Sequence, residues 1–416
     1  MTVPFLKAWF AEETTRDSVP GAFTLWGGKS GSREFNQVGS APKRKKRKAR
    51  ESRAQPCRRS GVTRGARVCS EKLQRLEFTL LEDLRLAIIG CGALTEVILL
   101  PALSVFDRAD VRFLVDKSLP RAQRLAGEYH VAHVAEQYAE VFDRVDAAIV
   151  ALPNYLHAPV TIELLRRGIH VLVEKPMALN TNECDEMIET ARSAGVVLSV
   201  GMVRRFYASS QFVKDLLERR LLGEILNFDL RDGTVFNWPV ASDSVFRKEV
   251  AGGGVLVDTG VHYLDLLLWW LGDCDPVEYY DDASGGVEAD CELCLRSRSG
   301  VSGTIELSRT RNLRNTWVLR GECGSLEIGT KLNAPVNLQL MGSPTTLTGQ
   351  VRLGSAADRS MDDVFVRQLD NFADSIENHR EPLVSGKEGR RSIALIETCY
   401  ALRKPLEKAW GSPVAG

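Results

Sequence analysis

A lysine stands where an apolar strand is predicted to end, in the stretch HVLVEKPMALN at residues 170–180. The run HVLV has the composition of a buried strand, and Lys175 follows it after a single glutamate. Pro176 fixes its own backbone and restricts Lys175 to an extended conformation, which limits where the amine can point. A cation in that place can stabilise a negatively charged oxygen or share in a proton transfer.

A second group of polar residues lies on a helix predicted within GGGVLVDTGVHYLDLLLWWLG, residues 252–272. Asp258, His262 and Asp265 are spaced at i, i+4 and i+7, so they share one face of that helix. A carboxylate one turn before an imidazole can hydrogen-bond the ring and keep it basic near neutral pH, as a general base requires. The alternative is a structural cap beside a core histidine. A metal site is disfavoured, because no third ligand is suggested nearby.

The turn GCGALT, which begins at Gly90, has the residues needed to bind a pyrophosphate. Gly90 permits a tight turn, and Gly92 lets the backbone approach a phosphate at a helix N-terminus, where Ala93 and Leu94 follow. Thr95 stands in place of the third glycine of the usual dinucleotide pattern, which serves close packing between helix and strand. The turn therefore predicts a dinucleotide site with altered packing.

An acidic residue follows the second predicted strand at the distance expected for ribose binding. Asp116 lies 24 residues after Gly92, where a carboxylate commonly accepts hydrogen bonds from the adenosine ribose hydroxyls. It would repel a 2′-phosphate, which favours NAD as the cofactor. Lys117 and Arg121 could accept that phosphate, so NADP stays open. The alternative role of Asp116 is that of a helix cap or turn residue.

A doubly wound parallel sheet is needed to position these residues. Apolar runs of strand length alternate with helical patterns; the strands are predicted at 84–90, 111–116, 146–153, 170–173 and 196–202, and the helices at 120–129, 158–167 and 181–194. Strands that are apolar throughout and alternate with helices indicate a parallel sheet covered on both faces. Such sheets bind ligands beyond the carboxyl ends of their strands, and Lys175 lies at such an end.

Beyond residue 203 the sequence changes to alternating apolar and polar residues. Runs such as ILNFDLRDG, VEADCELCLRS and VSGTIELSRT, with glycines at the turns, predict a large antiparallel or mixed sheet that is apolar on one face. We therefore predict an α/β chain in three parts: a basic extension at 1–80, a Rossmann dinucleotide-binding domain at 81–203 and a substrate-binding domain at 204–416.

The charge distribution and the cysteines give further information on the class of protein and its location. The 416-residue chain has no net charge, but residues 1–80 hold 18 Lys and Arg against 7 Asp and Glu. This extension is predicted to be disordered; nuclear targeting, nucleic-acid binding and a translation start placed too early are the alternatives. No apolar run is long enough to cross a bilayer, and no secretion signal is recognised. Nine irregularly spaced cysteines indicate free thiols in the cytoplasm, and CELC at 291–294 is interpreted as two ordinary thiols.

Three motifs together resemble the Gfo/Idh/MocA family of NAD(P)-dependent oxidoreductases. They are IGCGALTE, LPNYLHAPVTIELLRRGIHVLVEKPMALN and GGGVLVDTGVHYLDLLLWWLG, in the family's order and at its usual separations. The resemblance covers about residues 84–410, and the segment at 365–389 is similar to the family's closing helix. It implies a Rossmann domain, on which the terminal helix packs, and an α/β domain whose open sheet commonly forms a homodimer or homotetramer.

The resemblance also implies roles for the matching residues. Lys175 matches the lysine of the EKP triplet, while Asp258 and His262 match the catalytic pair on the helix. Cofactor contacts are implied for the EKP glutamate and for the loop after the fourth strand, at Leu152, Pro153, Asn154, His157 and Glu174. The implied chemistry is hydride exchange between NAD or NADP and a secondary alcohol or ketone carbon of a sugar, cyclitol or nucleotide-linked sugar.

Substrate contacts are predicted in the second domain. The segments at 202–206 and 234–249 offer Arg205, Trp238 and Lys248; an aromatic ring suits a pyranose face, and cations suit a phosphate or carboxylate. Surface loops with incidental charges are the alternative. Two other functions stay open: a dinucleotide-binding sensor without turnover, and an eliminase or epimerase that oxidises its substrate only transiently.

Overall fold

The computed structural model describes residues 83–236, 246–353 and 360–406. The basic extension at 1–80, which we predicted to be disordered, and Trp238 lie outside the described residues.

The first sheet is parallel throughout and has the doubly wound order predicted from the sequence. Its strands are β1 (Leu84–Ile89), β2 (Ala109–Val115), β3 (His133–Ala135), β4 (Ala147–Val150), β5 (His170–Val173) and β6 (Leu198–Val200). They are arranged in the order β3-β2-β1-β4-β5-β6. Because the order reverses between β1 and β4, the loops that follow those strands open into one crevice at the carboxyl edge. The sequence did not reveal β3, which is too short to show a pattern.

Helices pack against both sheets. Within the described ranges they are α1 (Leu100–Val105), α2 (Leu119–Tyr129), α3 (His157–Arg166), α4 (Thr181–Ala194), α5 (Ala208–Glu218), α6 (Lys248–Ala251), α7 (Val261–Leu271), α8 (Met361–Glu377) and α9 (Gly386–Ala401). π-helical turns at Thr95–Leu99 and Leu256–Gly260 run directly into α1 and α7. No helix of this part of the chain is long and apolar enough to span a membrane.

Local chemistry explains why α4 begins and ends where it does. The Asn180 side chain accepts a hydrogen bond from the backbone N–H of Glu183, which satisfies one free donor of the first turn. Gly195 ends the helix with a φ of 68°, a conformation that glycine adopts without strain. The bounds predicted for this helix from the sequence are therefore the observed ones.

The second sheet is large and mixed. Its strands are β7 (Ile225–Gly233), β8 (Cys274–Asp281), β9 (Asp290–Ser297), β10 (Ser302–Ser308), β11 (Thr316–Gly321), β12 (Gly324–Gly329), β13 (Val336–Leu340), β14 (Thr346–Gly349) and β15 (Arg403–Pro405). The pairs β7–β10 and β8–β15 are parallel, and the other pairs are antiparallel. The mostly antiparallel α/β organisation predicted for this half is confirmed.

Alternation along these strands buries one face. Leu230, Ile305 and Leu319 point into the core on β7, β10 and β11. Cys291 and Cys294 lie three residues apart on β9, so their side chains point to opposite faces of the sheet. Both thiols are free, as interpreted from the sequence.

The last two helices tie the second half of the chain back to the first. Arg108, just before β2, donates to carboxylates of Asp370 and Glu377 on α8 at 3.0 and 2.7 Å. The backbone N–H and hydroxyl of Thr181 both donate to Glu397 on α9. The segment that resembled one closing helix thus contains most of α8 and the start of α9, and both helices contact elements of the first half of the chain.

Candidate active site

Lys175 is presented at the carboxyl edge of the first sheet, two residues after β5 ends. Its Nζ lies 2.9 Å from Oδ1 of Asp258 and 2.9 Å from the main-chain oxygen of the same residue. The two residues are 83 positions apart in the sequence. The cation predicted from the EKP triplet and the carboxylate predicted from the helix therefore meet directly.

Asp258 is bracketed by two cations. Lys175 donates to Oδ1, and Arg309, which follows β10, donates to Oδ2. About half of the Asp258 side chain is accessible, yet the surrounding protein still desolvates the carboxylate, which by itself would raise its pKa. The charges of Lys175 and Arg309 outweigh that effect and hold the pKa of Asp258 below its usual range. This carboxylate is therefore ionised throughout the neutral range.

His262 lies one turn further along the same helix and is 9% exposed. Burial lowers the pKa of His262 well below its usual value, and the nearby charges of Lys175 and Arg204 lower it further, against the opposing effect of Asp258. Its Nδ1 is buried without a hydrogen-bond partner among the described residues. His262 is therefore a neutral imidazole near neutral pH and can accept a proton.

The hydrogen bond expected between Asp258 and His262 does not form, which corrects the interpretation from their spacing. The helix face was right, but the carboxylate turns to Lys175 and Arg309, because charge-assisted bonds to two cations are stronger than one to a neutral ring. The π-helical turn Leu256–Gly260 carries Asp258 and interrupts regular α-helical hydrogen bonding at this point, as such turns often do at functional sites.

The turn after β1 has the shape of a phosphate cradle. Gly90 has a φ of 105°, and a Cβ there would lie 2.3 Å from the main-chain oxygen of Ala151, so only glycine fits. At Gly92 a Cβ would meet nothing within 4 Å, so the space beside its backbone is open to a ligand. Ala93 and Leu94 begin the helix that continues into α1, so their N–H groups precede the intrahelical ladder.

Thr95 accounts for the departure from the usual glycine pattern. Its side chain is fully buried, and its Oγ1 donates a 2.6 Å hydrogen bond to the main-chain oxygen of Gly90. The hydroxyl closes the turn from inside, and the π-helical turn that begins at Thr95 accommodates the larger side chain. The residues present therefore fit a dinucleotide pyrophosphate at this turn.

Asp116 connects the loop after β1 to the loop after β2, at the place where an adenosine ribose would bind. Its Oδ2 accepts from the N–H of Cys91 at 2.8 Å, and its Oδ1 accepts from the N–H of Ser118 at 2.7 Å. Each carboxylate oxygen keeps a second lone pair for a ribose hydroxyl. Arg121 lies 3.8 Å from Oδ2, and Lys117 is exposed beside it. The predicted acid and both predicted cations are thus gathered at one place.

The loop after β4 is braced by a buried histidine. His157 is 1% exposed, and its Nδ1 and Nε2 lie 2.6 Å and 2.8 Å from the main-chain oxygens of Pro176 and Leu152. Burial lowers the pKa of His157. Because both ring nitrogens face protein carbonyls, the implied cofactor contact of His157 is corrected: it holds the loop after β4 against the EKP loop.

Two further predicted residues contact protein at the same edge. The Asn154 side chain, next to Pro153, donates to the main-chain oxygen of Ala251 at 2.8 Å and so ties the loop to α6. Glu174 is 6% exposed; its Oε2 accepts from the N–H of Lys175 at 3.2 Å, while Oε1 has no partner among the described residues. Burial raises the pKa of Glu174 to about 7.

Arg205 does not face the site, which corrects its predicted contact with substrate. The side chain is 1% exposed, and its guanidinium donates to both carboxylate oxygens of Asp265 at 2.8 Å and to Glu388 at 2.8 Å. It also lies 5.4 Å from the ring centroid of Trp269. Arg205 is a core ion-pair residue that joins the segment after β6 to α7 and α9. Lys248 is exposed at the start of α6.

Sequence reasoning missed Arg309. Nothing in the alternating run SGTIELSRTRN distinguishes it from Arg311, two residues later. Arg309 reaches Asp258 from a strand end 51 residues away in the sequence, and only the folded chain shows that contact. Arg204 was also overlooked: it donates to Tyr263 Oη at 2.7 Å and its charge acts on His262.

A Rossmann crevice with a phosphate cradle and a lysine, carboxylate and neutral imidazole at the same edge defines a class: a dinucleotide-binding oxidoreductase. Comparison with known proteins agrees. Residues 84–202 match the profile of the oxidoreductase family with an NAD-binding Rossmann fold, and residues 210–327 match the GFO/IDH/MocA C-terminal domain.

Individual relatives extend the match over most of the described chain. D-glucoside 3-dehydrogenase of Escherichia coli is 33% identical in an alignment of 342 positions that covers 76% of this chain and 94% of that protein. A scyllo-inositol 2-dehydrogenase (NADP(+)) of Bacillus subtilis is 29% identical over 59% of this chain and 76% of that protein. The crystal structure of an aldose-aldose oxidoreductase from Caulobacter crescentus superposes with a TM-score of 0.70 at 26% identity, covering 77% of this chain and 97% of that one. The chain belongs to the Gfo/Idh/MocA family.

Proposed function

We propose that this chain catalyses NAD(P)-dependent hydride transfer at a secondary alcohol or ketone carbon of a sugar, cyclitol or nucleotide-linked sugar. The observation that carries the proposal is the meeting of Lys175, Asp258 and a neutral His262 at the ligand-binding edge of a Rossmann sheet. The relatives support the substrate class, since their names describe reactions on a D-glucoside, scyllo-inositol and an aldose.

The loops at the carboxyl edge would hold the dinucleotide. Gly92 and the N–H groups of Ala93 and Leu94 would bind the pyrophosphate, and Asp116 would bind the adenosine ribose. The bound nicotinamide would supply or accept the hydride. The nearness of Lys117 and Arg121 to Asp116 supports NADP as an alternative cofactor, since either cation could pair with a 2′-phosphate.

His262 serves as the general base for alcohol oxidation. Loss of hydride from a carbinol carbon requires loss of the hydroxyl proton as well, so a neutral acceptor must lie within hydrogen-bond reach. Because burial and neighbouring cations lower the pKa of His262, the ring is unprotonated and available at neutral pH. In the reverse direction the ring must first take up a proton from solvent, which it then gives to the new alkoxide.

Lys175 stabilises the oxygen on which negative charge develops. An ammonium carries three N–H donors, and two of them are engaged by the side chain and the main-chain oxygen of Asp258. The third is available to the substrate oxygen. Asp258 thus orients the Lys175 ammonium, and Pro176 limits the directions in which the lysine side chain can point.

A panel of polyols, methyl glycosides and nucleotide-linked sugars, followed at the NADH absorbance band, tests this function. The expected result is saturable NAD(P)-dependent turnover of at least one sugar-like alcohol. Tight NADH binding without turnover of any compound would favour the sensor alternative. Conversion of a sugar to an isomer or elimination product without net NADH would favour transient oxidation.

The domain division proposed is a dispensable extension at 1–80, the dinucleotide-binding domain at 81–203 and the second domain at 204–416. The change from the parallel to the mixed sheet between β6 and β7 supports the second boundary. Deletion of residues 1–80 is expected to leave thermal stability and NADH affinity unchanged. Loss of soluble protein on deletion would contradict the proposal.

A homodimer or homotetramer formed through the second sheet is part of the proposal. One face of that sheet leaves polar and charged side chains exposed on adjacent strands: Arg231, Glu292, Arg296, Thr304 and Arg320. The mixed signs suit pairing with a second copy of the same face. Sedimentation equilibrium tests this, and a monomer at micromolar concentration would contradict it.

A cytoplasmic location is also part of the proposal. It is supported by the seven described cysteines, all of which are free.

A further inference from the structure

Arg309 is held rigidly beside the proposed catalytic carboxylate. Its side chain is 12% exposed and donates to Oδ2 of Asp258. Its guanidinium lies 5.2 Å from the ring centroid of Phe236, and its main-chain N–H and oxygen are bonded to Ala289 and Phe236 at 2.8 Å. The two main-chain hydrogen bonds and the cation–π contact with Phe236 limit the directions that this arginine can take.

The two cations on Asp258 have different freedom. Lys175 ends in a flexible four-carbon stem, and its third N–H donor points to a substrate oxygen that gains negative charge in the reaction. As the ammonium is drawn toward that charge, its bond to Oδ1 weakens, and Asp258 would be left in a desolvated place without a full counterion. Such a carboxylate would pull the ammonium back or turn away from it. Arg309 remains on Oδ2 in either position of the lysine.

We propose that Arg309 is a positioning residue for the reaction: it anchors Asp258 so that Lys175 can present its ammonium to the substrate oxygen while the carboxylate stays in place. This role rests on the function proposed above. Arg309 acts through Asp258 and need not touch substrate, so its loss affects the chemical step more than substrate binding.

The planar guanidinium also explains why an arginine stands here. It donates to the carboxylate while its Cζ lies over the ring of Phe236, whereas the compact ammonium of a lysine makes a less directional contact with a carboxylate. Arg309→Lys should therefore keep the charge beside Asp258 and lose part of the alignment. Arg309→Gln should lose both.

The matched control is Arg311, two residues along the same segment. Its guanidinium pairs with Glu306 on β10, so Arg311→Gln removes an ion pair from the same segment without removing a partner of Asp258. Thermal unfolding and NADH affinity are measured first for all variants, and both are expected to match wild type. Steady-state kinetics on a substrate from the panel then separate kcat from KM.

Arg309→Gln is expected to lower kcat about 10- to 100-fold, as a misplaced catalytic group does, with KM changed less than about two-fold. Arg309→Lys recovers part of kcat, and Arg311→Gln behaves as wild type.

The pH dependence of kcat/KM is a second measurement, and a purely structural role of Arg309 would not change it. Asp258 faces Lys175 and Arg309 from neighbouring elements and has His262 on its own helix; loss of Arg309 raises the pKa of Asp258, so the acid limb of kcat/KM moves to higher pH.

An Arg309→Gln enzyme with the kcat and acid limb of wild type would overturn the positioning role while leaving the proposed function intact. A raised KM with unchanged kcat would also overturn it, since that pattern indicates direct substrate binding. If wild type turns over nothing on the panel, the proposed function fails and the role of Arg309 fails with it. If Arg309→Gln does not fold, Arg309→Lys decides: reduced kcat with an unshifted acid limb supports the role, and wild-type kcat contradicts it.

Discussion

The ion pair between Arg205 and Asp265 allows a test of whether Arg205, in the segment after β6, stabilises the fold or binds substrate. Both side chains are 1% exposed, and the guanidinium makes two 2.8 Å bonds to Asp265 and one to Glu388. A residue in a buried ion pair stabilises the fold, so its loss lowers the free energy of unfolding. A residue that binds substrate, as the sequence suggested for Arg205, would instead raise KM when it is lost.

Arg205→Met removes the cation and keeps much of the apolar stem. Breaking one partner of a buried pair costs about 3–5 kcal/mol, because it leaves a buried charge unpaired. Burial already raises the pKa of Asp265, and loss of the opposing arginine charge raises it further. A carboxyl whose pKa is raised in the folded state binds a proton more readily folded than unfolded, so acid favours the fold. The loss of stability should therefore be smaller at pH 5 than at pH 7.

Urea unfolding followed by circular dichroism at both pH values measures this change. The double variant Arg205→Met with Asp265→Leu is the control, and it should recover most of the lost stability because no buried charge remains. The substrate KM of Arg205→Met should stay near that of wild type. Wild-type stability together with a tenfold higher KM would refute the structural role and restore the substrate contact.

Substitutions at the cofactor loops should separate folding from binding. Gly92→Leu fills the open space of the cradle and should abolish NADH binding, seen by fluorescence, without lowering the melting temperature; intact binding would contradict the cradle. Gly90→Ala forces a left-handed residue against Ala151 and should destabilise the protein by at least about 1–3 kcal/mol, measured by urea unfolding, and a stable variant would contradict the strain. Asp116→Ser removes the charge that repels a 2′-phosphate and should raise NADPH affinity relative to NADH in titrations; an unchanged ratio would contradict that role.

Much of the fold could be predicted because its determinants are local. The apolar strands of a doubly wound sheet, the turn at Gly90 and the bounds of α4 each depend on a few adjacent residues. Lys175 could be placed as well, since it follows a recognisable buried strand. β3 could not be predicted, because a strand of three residues is too short to show a pattern of apolar residues.

The partners of charged side chains could not be read from the sequence. Helical spacing placed Asp258 and His262 on one face, but whether the carboxylate turns to the ring depends on Lys175 and on Arg309, which arrive from distant segments. Arg205 was assigned to substrate for the same reason: its carboxylate partner lies 60 residues away. The charges around a side chain in the folded protein come from residues that are distant in the sequence, so local sequence patterns do not reveal them.

The most direct test of the proposed chemistry compares kcat of wild type with that of Lys175→Met on a sugar or polyol that wild type oxidises, with the Kd for NADH measured in parallel. Loss of the group that stabilises a developing oxyanion should lower kcat about 100- to 1,000-fold while NADH still binds. A Lys175→Met enzyme that retains wild-type kcat would contradict the central role of this lysine.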